Sequence, residues 1–245
     1  MDLTTLLVGV AVMGAAFVKG MAGMAFPLVA TPPVALLTDI RTAIVVLLVP
    51  NMLMDVLQIA RKRFPLEHLK RLGTMMAASI VGTFVGTYLL VTIPVRLVNL
   101  IVAAIVFAFV GQNLWATPVA VPARWEPVTS PVIGFVTGVL NGISNISSPV
   151  LAIYLLSLRL GKFDFVKSIS LVFLALKVGQ TAAVWRWQLF TADRLWLSAA
   201  ATAFALVGFA IGLQVQDRIP QRIFTRVLLG ILTASGLALI AKALQ

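Results

Sequence analysis

The residues best suited to chemistry lie in two short segments of otherwise apolar sequence. These are "KGMAGMAFP" at 19–27 and "NGISNISSP" at 141–149, and both contain glycines and end in proline. Their candidate substrate-binding residues are Lys19, Gly20, Gly23, Asn141, Gly142, Ser144, Asn145, Ser147 and Ser148. Ammonium, amide and hydroxyl groups can all donate hydrogen bonds, and the ammonium is also a cation. This combination favours binding of a small anion.

Two further polar sets lie on long apolar stretches. The first set is Asn51, Asp55 and Gln58, and the second is Ser170, Lys177 and Gln180. Within each set the spacing places the side chains on one face of a helix. Polar and ionisable residues inside membrane segments are candidates for function. We assign Lys177 and Gln180 to substrate binding and the first set to coupling or gating.

Some of these residues also have a purely structural interpretation. Ser147 or Ser148, just before Pro149, is typical of a helix N-cap. Lys19 is compatible with a lysine at a helix end whose ammonium reaches the membrane interface. The density of polar groups at 141–149 exceeds what capping alone requires, which favours a binding site.

Membrane helices are the elements that must hold these residues. The 245-residue chain is 60% hydrophobic and 11% charged, with a mean hydropathy of +1.05. A water-soluble domain of this size needs a more polar surface. Apolar runs of about 20 residues, enough to cross a bilayer, occupy 41–60, 72–93, 97–116, 165–185, 195–215 and 223–241. The sequence therefore predicts an all-α polytopic membrane protein.

Composition argues against several other classes. The net charge is +11, but the basic residues cluster at the ends of apolar runs, so nucleic acid is not an expected partner. The chain has no cysteine, and its one histidine, His68, lies in the charged segment "RKRFPLEHLKR", so no metal site is expected. It has no P-loop and no nucleophile with a nearby base, so we expect no cofactor and no enzymatic activity. The start, "MDLTTLL", lacks the basic region of a cleaved signal peptide.

An internal repeat relates the two polar segments. At a separation of 122 positions, Lys19 aligns with Asn141, Gly20 with Gly142, Pro27 with Pro149, Asp55 with Lys177 and Gln58 with Gln180. After a shift of four residues, "GTFVGTYLLVTIPVR" (82–96) aligns with "GFAIGLQVQDRIPQR" (208–222). We interpret this as a duplication, with repeats at 1–117 and 129–245 and a linker at 118–128 rich in proline. Asp55 and Lys177 are then expected to pair, either within the site or as a lock between the halves.

Each repeat is predicted to contain one broken helical region followed by three transmembrane helices. The first broken region divides into 3–18 and 24–38, each about 15 residues or roughly 23 Å, short of the ~30 Å bilayer core. A re-entrant hairpin and two short tilted crossings both fit. Both leave an odd number of crossings per repeat, so the repeats should have inverted topology, as in many secondary transporters. Second half-helices starting near Gly23–Ala25 and Ser147–Pro149 would direct positive N-terminal ends at an anion.

Charge distribution gives an orientation. With inverted repeats, twelve basic residues fall near 61–71, 117–128, 159–167 and 217–226 on one side, against five on the other. Basic residues favour the cytoplasmic side. Both termini are therefore expected outside the cytoplasm.

Four glycines have the spacing of close helix contacts. They are Gly82, Gly86, Gly208 and Gly212. Small residues four apart let two membrane helices approach closely. We expect them to pack helices rather than to bind a ligand.

The glycine-containing break that ends in proline, its counterpart in "GFVTGVLNGISNISSPVLAIYLL", and the basic "RKR" after the second helix resemble the sulfite exporter family often called TauE/SafE. The resemblance spans the whole chain. It implies a membrane permease that exports sulfite, sulfoacetate or other sulfur-containing or organic anions. The lysine in "KGMAGMAFP" departs from the family, whose first break usually carries more glycines.

The resulting hypothesis is a secondary anion transporter of the bacterial inner membrane that works by alternating access. Lys19 and Lys177 would neutralise the anion, and Asp55 would either couple transport to a proton or another ion or release Lys177 at one stage of the cycle. The expected partners are the small anion and the lipid bilayer, and formation of a homodimer is left open. The alternatives are a non-transporting accessory membrane protein and a membrane-embedded enzyme.

Overall fold

The computed structural model describes residues 3–60, 66–115, 123–158, 160, 162–215, and 233–244 without 235 and 242. Within these residues the chain is helical and has no strands. The helices are α1 (Leu3–Ala22), α2 (Phe26–Leu37), α3 (Ile40–Val46), α4 (Leu48–Ala60), α5 (Leu66–Thr92), α6 (Val95–Trp115), α7 (Glu126–Ser144), α8 (Ser148–Ser157), α9 (Lys162–Arg186) and α10 (Ala192–Val215). A short 3₁₀ turn, Ala123–Trp125, precedes α7. Most of the predicted run 223–241 lies outside the described residues.

The helices confirm a multi-pass membrane protein. Five segments among the described residues are long and apolar enough to cross a bilayer: Leu3–Ala22, Ile40–Ala60, Leu72–Thr92, Asp164–Arg186 and Ala192–Val215. Large apolar side chains are exposed along these helices, for example Val10 at 51% and Val81 at 58%. Such surfaces suit lipid, because hydrocarbon does not penalise exposed apolar groups as water does.

The bounds of the first broken region differ from the prediction. The first piece was expected to end at residue 18, but α1 continues to Ala22 and is long enough to span the membrane by itself. Lys19 therefore lies in the last turn of α1 rather than in the break. Gly20 did not end the helix earlier because a single glycine costs a helix only about 1 kcal/mol, which packing can offset.

The predicted helix 41–60 is interrupted at Leu47, between α3 and α4. Pro50 accounts for the interruption, since proline has no N–H to donate to the carbonyl of Val46 four residues earlier. The hydroxyl of Ser198 on α10 donates to that carbonyl at 2.8 Å. A side chain of a distant helix thus satisfies the backbone group that the proline leaves unpaired.

The start of α3 is held by a capping carboxylate. Asp39 accepts hydrogen bonds from the backbone N–H groups of Arg41 (2.9 Å) and Thr42 (3.0 Å). Burial acts to raise the pKa of the Asp39 carboxyl, but the hydrogen bonds from Thr42 and the charge of Arg194 outweigh it and lower that pKa. Arg194 also donates to the Thr42 hydroxyl at 3.0 Å, which fastens the start of α3 to α10.

The chain forms two compact units. Unit 1 comprises Met1–Asn51, Ile93–Ala116 and Leu189–Gln245, and unit 2 comprises Met52–Thr92 and Thr117–Gln188. In unit 1, α1 packs mainly on α10, and in unit 2, α5 packs on α7 and α9. Each unit thus takes helices from both predicted repeats. The division of the sequence into repeats at 1–117 and 129–245 stays a prediction, as does their inversion.

Glycines make the main helix contact in each unit. In unit 1, a side chain at Gly208 or Gly212 would overlap the carbonyl oxygens of Met13 and Phe17 on α1. In unit 2, the corresponding positions are Gly82 and Gly86, which face the carbonyl oxygens of Phe135 and Val139 on α7. The expected close packing at these glycines is confirmed. Met13 and Phe135, like Phe17 and Val139, are 122 positions apart, so the two contacts agree with the repeat.

Candidate functional site

Each unit contains a helix break with the same backbone turn. After α1, Gly23 has a φ of 79°, and its N–H donates to the carbonyl of Lys19 at 2.7 Å. After α7, Asn145 has a φ of 62°, and its N–H donates to the carbonyl of Asn141 at 2.8 Å. A left-handed residue closed by such a bond is a common helix C-terminus. Gly23 and Asn145 are themselves 122 positions apart.

The second helix of each break begins close to the predicted position. α2 starts at Phe26, directly after Ala25, and has proline in its first turn. α8 starts at Ser148. Both helices have at least ten residues, and the first turn of each has N–H groups without helical partners, apart from its proline, which has no N–H.

A fully buried ammonium lies just before the first break, in the last turn of α1. Lys19 has 0% of its surface exposed, so its ammonium does not reach the surface as the interfacial interpretation would require. It donates to Oδ1 of Asn51 on α4 at 2.7 Å. Asn51, which the sequence assigned to coupling or gating, is thus hydrogen-bonded to the ammonium at the first break.

The second break receives its ammonium from a neighbouring helix. Lys177 on α9 is also 0% exposed, and it donates to Oδ1 of Asn141 at 3.0 Å and to Oε1 of Gln180 at 2.7 Å. It donates as well to Oδ1 of Asn145. Charge-assisted bonds of this kind are stronger than neutral ones and offset part of the cost of burying a cation.

Gln180 adds a second connection between α9 and the end of α7. Its Nε2 donates to the backbone carbonyl of Asn141 at 3.2 Å, and its Oε1 accepts from Nδ2 of the same asparagine at 3.3 Å. Lys177, Gln180, Asn141 and Asn145 therefore form one buried network, which we call the unit 2 cluster.

The serines of the second segment have different local roles. Ser144 donates to the carbonyl of Leu140 at 2.6 Å and accepts from the N–H of Ile146 at 3.1 Å, so it stabilises the turn itself. Ser147 is 2% exposed, and its carbonyl accepts the N–H of Leu151 at 3.2 Å in the first turn of α8. Ser148 is 3% exposed, and its hydroxyl has no hydrogen-bond partner among the described residues. Ser148 is thus left with a buried hydroxyl available to a ligand.

Gly20 and Gly142, next to the two breaks, face the backbones of neighbouring helices. A side chain at Gly20 would overlap the carbonyl of Phe209 on α10. A side chain at Gly142 would come within 2.5 Å of the Thr83 carbonyl and the Thr87 nitrogen on α5. These glycines allow close helix packing beside the tips, and their contact with substrate stays a prediction.

The remaining predicted residues lie on α4. Asp55 is fully buried, and Gln58 accepts a hydrogen bond from Ser170 on α9 at 2.9 Å. The Asp55–Lys177 ion pair stays a prediction. Within the described part of the chain, no group of three or more metal-ligating side chains occurs.

Sequence reasoning did not foresee the contact between Lys19 and Asn51. The two residues were placed in separate sets because they lie on different helices, 32 positions apart. One general signal was available: a buried lysine needs an acceptor, and Asn51 is among the few polar residues of the first apolar runs. That signal indicates a partner but does not select among candidates.

The fold and these buried centres define a polytopic helical membrane protein with a lysine among amide side chains at each of two helix breaks. The family model for sulfite exporter TauE/SafE matches residues 7–239. The chain therefore belongs to this family, which places it among membrane exporters of sulfite and related anions rather than among enzymes. No curated protein and no solved structure matches the chain significantly.

Proposed function

We propose that the protein is a secondary transporter that exports a small sulfur-containing or organic anion, such as sulfite or sulfoacetate, by alternating access. The observation that carries the proposal is that each helix break places a fully buried ammonium, Lys19 or Lys177, among amide groups. A buried ammonium attracts an anion strongly, because little water screens its charge there, and the neighbouring amides can donate hydrogen bonds to the same anion.

The helix starts after the breaks support the same ligand class. The first turns of α2 and α8 carry N–H groups without helical partners, and the helix dipole makes these ends positive. Helix N-termini of this kind bind anions. The buried hydroxyl of Ser148, at the start of α8, adds a donor at that end.

Asp55 gives the proposal a coupling residue. A carboxylate in a buried setting has a strong preference for a partner or a proton. In the proposed cycle, protonation of Asp55 accompanies a change in the partners of Lys177, which links anion binding to proton movement. Asn51 and Gln58, on the same helix, would transmit that change.

A flux assay tests the function. The purified protein in liposomes is assayed for counterflow of sulfite, sulfate, sulfoacetate and small carboxylates, with and without a pH gradient. We expect saturable flux of at least one sulfur-containing anion, loss of flux in Lys177→Met, and a dependence on the pH gradient. Flux of none of these anions above protein-free liposomes would reject the transporter proposal in favour of an accessory role.

Orientation forms a separate part of the proposal. The charge bias of the sequence places both termini outside the cytoplasm of a bacterial cell. Because the chain has no cysteine, single cysteines at positions 2 and 244 can be labelled selectively. We expect both to react with an impermeant reagent in intact cells. Labelling only after lysis would reverse the orientation, and labelling at one end alone would contradict inverted repeats.

A further inference from the structure

The same pair of side chains occurs once in each unit. In unit 1, Lys19 donates to Oδ1 of Asn51 at 2.7 Å. In unit 2, Lys177 donates to Oδ1 of Asn145. The roles are exchanged between the units: the residue next to the break is the lysine in unit 1 and the asparagine in unit 2, and its partner comes from a later helix. All four side chains are 0% exposed.

The lysine fixes the orientation of each amide. An ammonium only donates hydrogen bonds, so the amide oxygen must face it and the NH₂ group must face elsewhere. Nδ2 of Asn51 and Nδ2 of Asn145 are both buried and have no hydrogen-bond partner in the part of the chain that the structure describes. A buried donor without a partner costs about 1–3 kcal/mol. Because this cost occurs at both asparagines, we expect the two NH₂ groups to have the same function.

We infer that Asn51 and Asn145 are each an anion-binding residue of their own unit, and that each binds through its amide NH₂ group beside the ammonium of its lysine. This inference rests on the proposed anion transport and specifies the hydrogen bonding of the ligand. Because the amide oxygen already accepts a hydrogen bond from the lysine, each lysine–asparagine pair presents only hydrogen-bond donors to a ligand: the ammonium and the amide NH₂ group. The preferred ligand therefore carries oxygens that only accept, as in a sulfonate, rather than an oxyanion that retains an O–H. A ligand hydroxyl at either pair would meet a donor and lose its own hydrogen bond.

Two ligands of nearly equal shape and charge test this preference on the unaltered protein. Methanesulfonate has three oxygens that only accept hydrogen bonds. Methylphosphonate, at a pH where it carries one negative charge, has two such oxygens and one O–H group. Binding to the purified full-length chain is measured from the rise of the thermal unfolding midpoint with ligand concentration. We expect a Kd at least about tenfold lower for methanesulfonate, which corresponds to one unmade buried hydrogen bond. Equal Kd values would overturn the inference.

Substitutions test the two asparagines. Asn51→Asp and Asn145→Asp keep an oxygen for the lysine but replace the NH₂ group with a second, negatively charged oxygen. We expect each to weaken methanesulfonate binding at least about tenfold, because a donor is lost and a like charge is gained. The matched control is Asn99→Asp, at a buried asparagine of α6 that is 4% exposed, where we expect less than a twofold change.

The outcomes separate the two proposals. If sulfite, sulfate and methanesulfonate all fail to stabilise the parent protein, the anion-transporter proposal fails and this inference fails with it. If the parent is stabilised and both aspartate variants bind as tightly as the parent, only this inference fails. If a variant does not fold, the comparison of methanesulfonate with methylphosphonate on the parent decides.

Discussion

The two helix breaks share a backbone but differ in side chains. Both close with a left-handed residue, Gly23 in one and Asn145 in the other, and both are followed by a short helix. The first break uses glycine, alanine and methionine around one lysine, whereas the second uses amides and serines around a lysine from α9. Backbone geometry is therefore common to both breaks, while each obtains its charge differently.

This difference suggests which positions of the predicted repeat are constrained by packing and which by chemistry. The glycine contacts of α1 with α10 and of α5 with α7 occupy corresponding positions in the two units. The charged residues do not occupy corresponding positions, since Lys19 aligns with Asn141 and Lys177 with Asp55. The two breaks are structurally equivalent and chemically distinct, and the predictions below test each half of that statement.

The largest effect is expected at the packing glycines. Gly20→Leu and Gly142→Leu each force a side chain into a neighbouring backbone. Each should lower the free energy of unfolding by about 5 kcal/mol or more, enough to prevent accumulation of folded protein. Size-exclusion profiles and thermal unfolding measure the loss.

The control for this prediction is Gly14→Ala on α1. A side chain at Gly14 meets no atom within 4 Å among the described residues, and alanine in a helix should stabilise by roughly 0.5–1 kcal/mol. If Gly20 or Gly142 tolerates leucine and the other does not, the two breaks are not structurally equivalent.

The next effect concerns the predicted Asp55–Lys177 pair. Removing one member of a buried ion pair costs about 3–5 kcal/mol, while replacing both can be nearly neutral. Asp55→Asn and Lys177→Gln should each lower stability, and the double variant should recover it. If Lys177 also binds the anion, the double variant should be stable but inactive. Thermal unfolding and flux are measured on all three; single variants that match the parent in both assays would show that no such pair exists.

A smaller effect is expected at the left-handed residue of the first break. Valine is strongly disfavoured at positive φ, whereas asparagine tolerates it, as Asn145 does in the second break. Gly23→Val should cost about 2 kcal/mol and Gly23→Asn less than about 1 kcal/mol by thermal unfolding. Gly14→Val, within α1, is the reference for the loss of a glycine alone. Equal losses at the two valine variants would contradict the left-handed conformation.

The smallest effect is expected at the interruption between α3 and α4, which continuous α9 lacks. The helical segment of α3 and α4 is interrupted at Leu47, just before Pro50, whereas the residue of continuous α9 that aligns with Pro50 is Val172. Ser198→Ala should cost about 1 kcal/mol because the carbonyl of Val46 loses its donor. In the Pro50→Ala background the helix supplies its own N–H, so the same change should cost almost nothing. Additive losses in this double-mutant cycle would show that Ser198 does not compensate for the proline.

The sequence was sufficient for the membrane class, the two breaks and the packing glycines. Hydropathy and the spacing of glycine and proline are local signals, and the structure confirms the membrane helices, the breaks and the glycine contacts that they predict. The 122-residue repeat stays a prediction. The end of α1 was misplaced because tertiary packing outweighs the weak helix propensity of Gly20. The contact of Lys19 with Asn51 and that of Ser198 with Val46 join helices whose relative register is set by packing, so no local pattern could identify them.

The composition of unit 1 has a consequence for biosynthesis. Its first helix, α1, packs against α10, which the ribosome makes only after α9 is complete. For that interval, on the order of ten seconds, α1 lies in the bilayer with a lysine in its last turn and without its main packing partner. Unit 2, whose helices α5 and α7 to α9 follow closely in the chain, can assemble earlier. Nascent chains truncated before α10 should therefore contain a folded unit 2 and an α1 that lacks its main packing partner, which makes α1 more susceptible to membrane quality-control proteases.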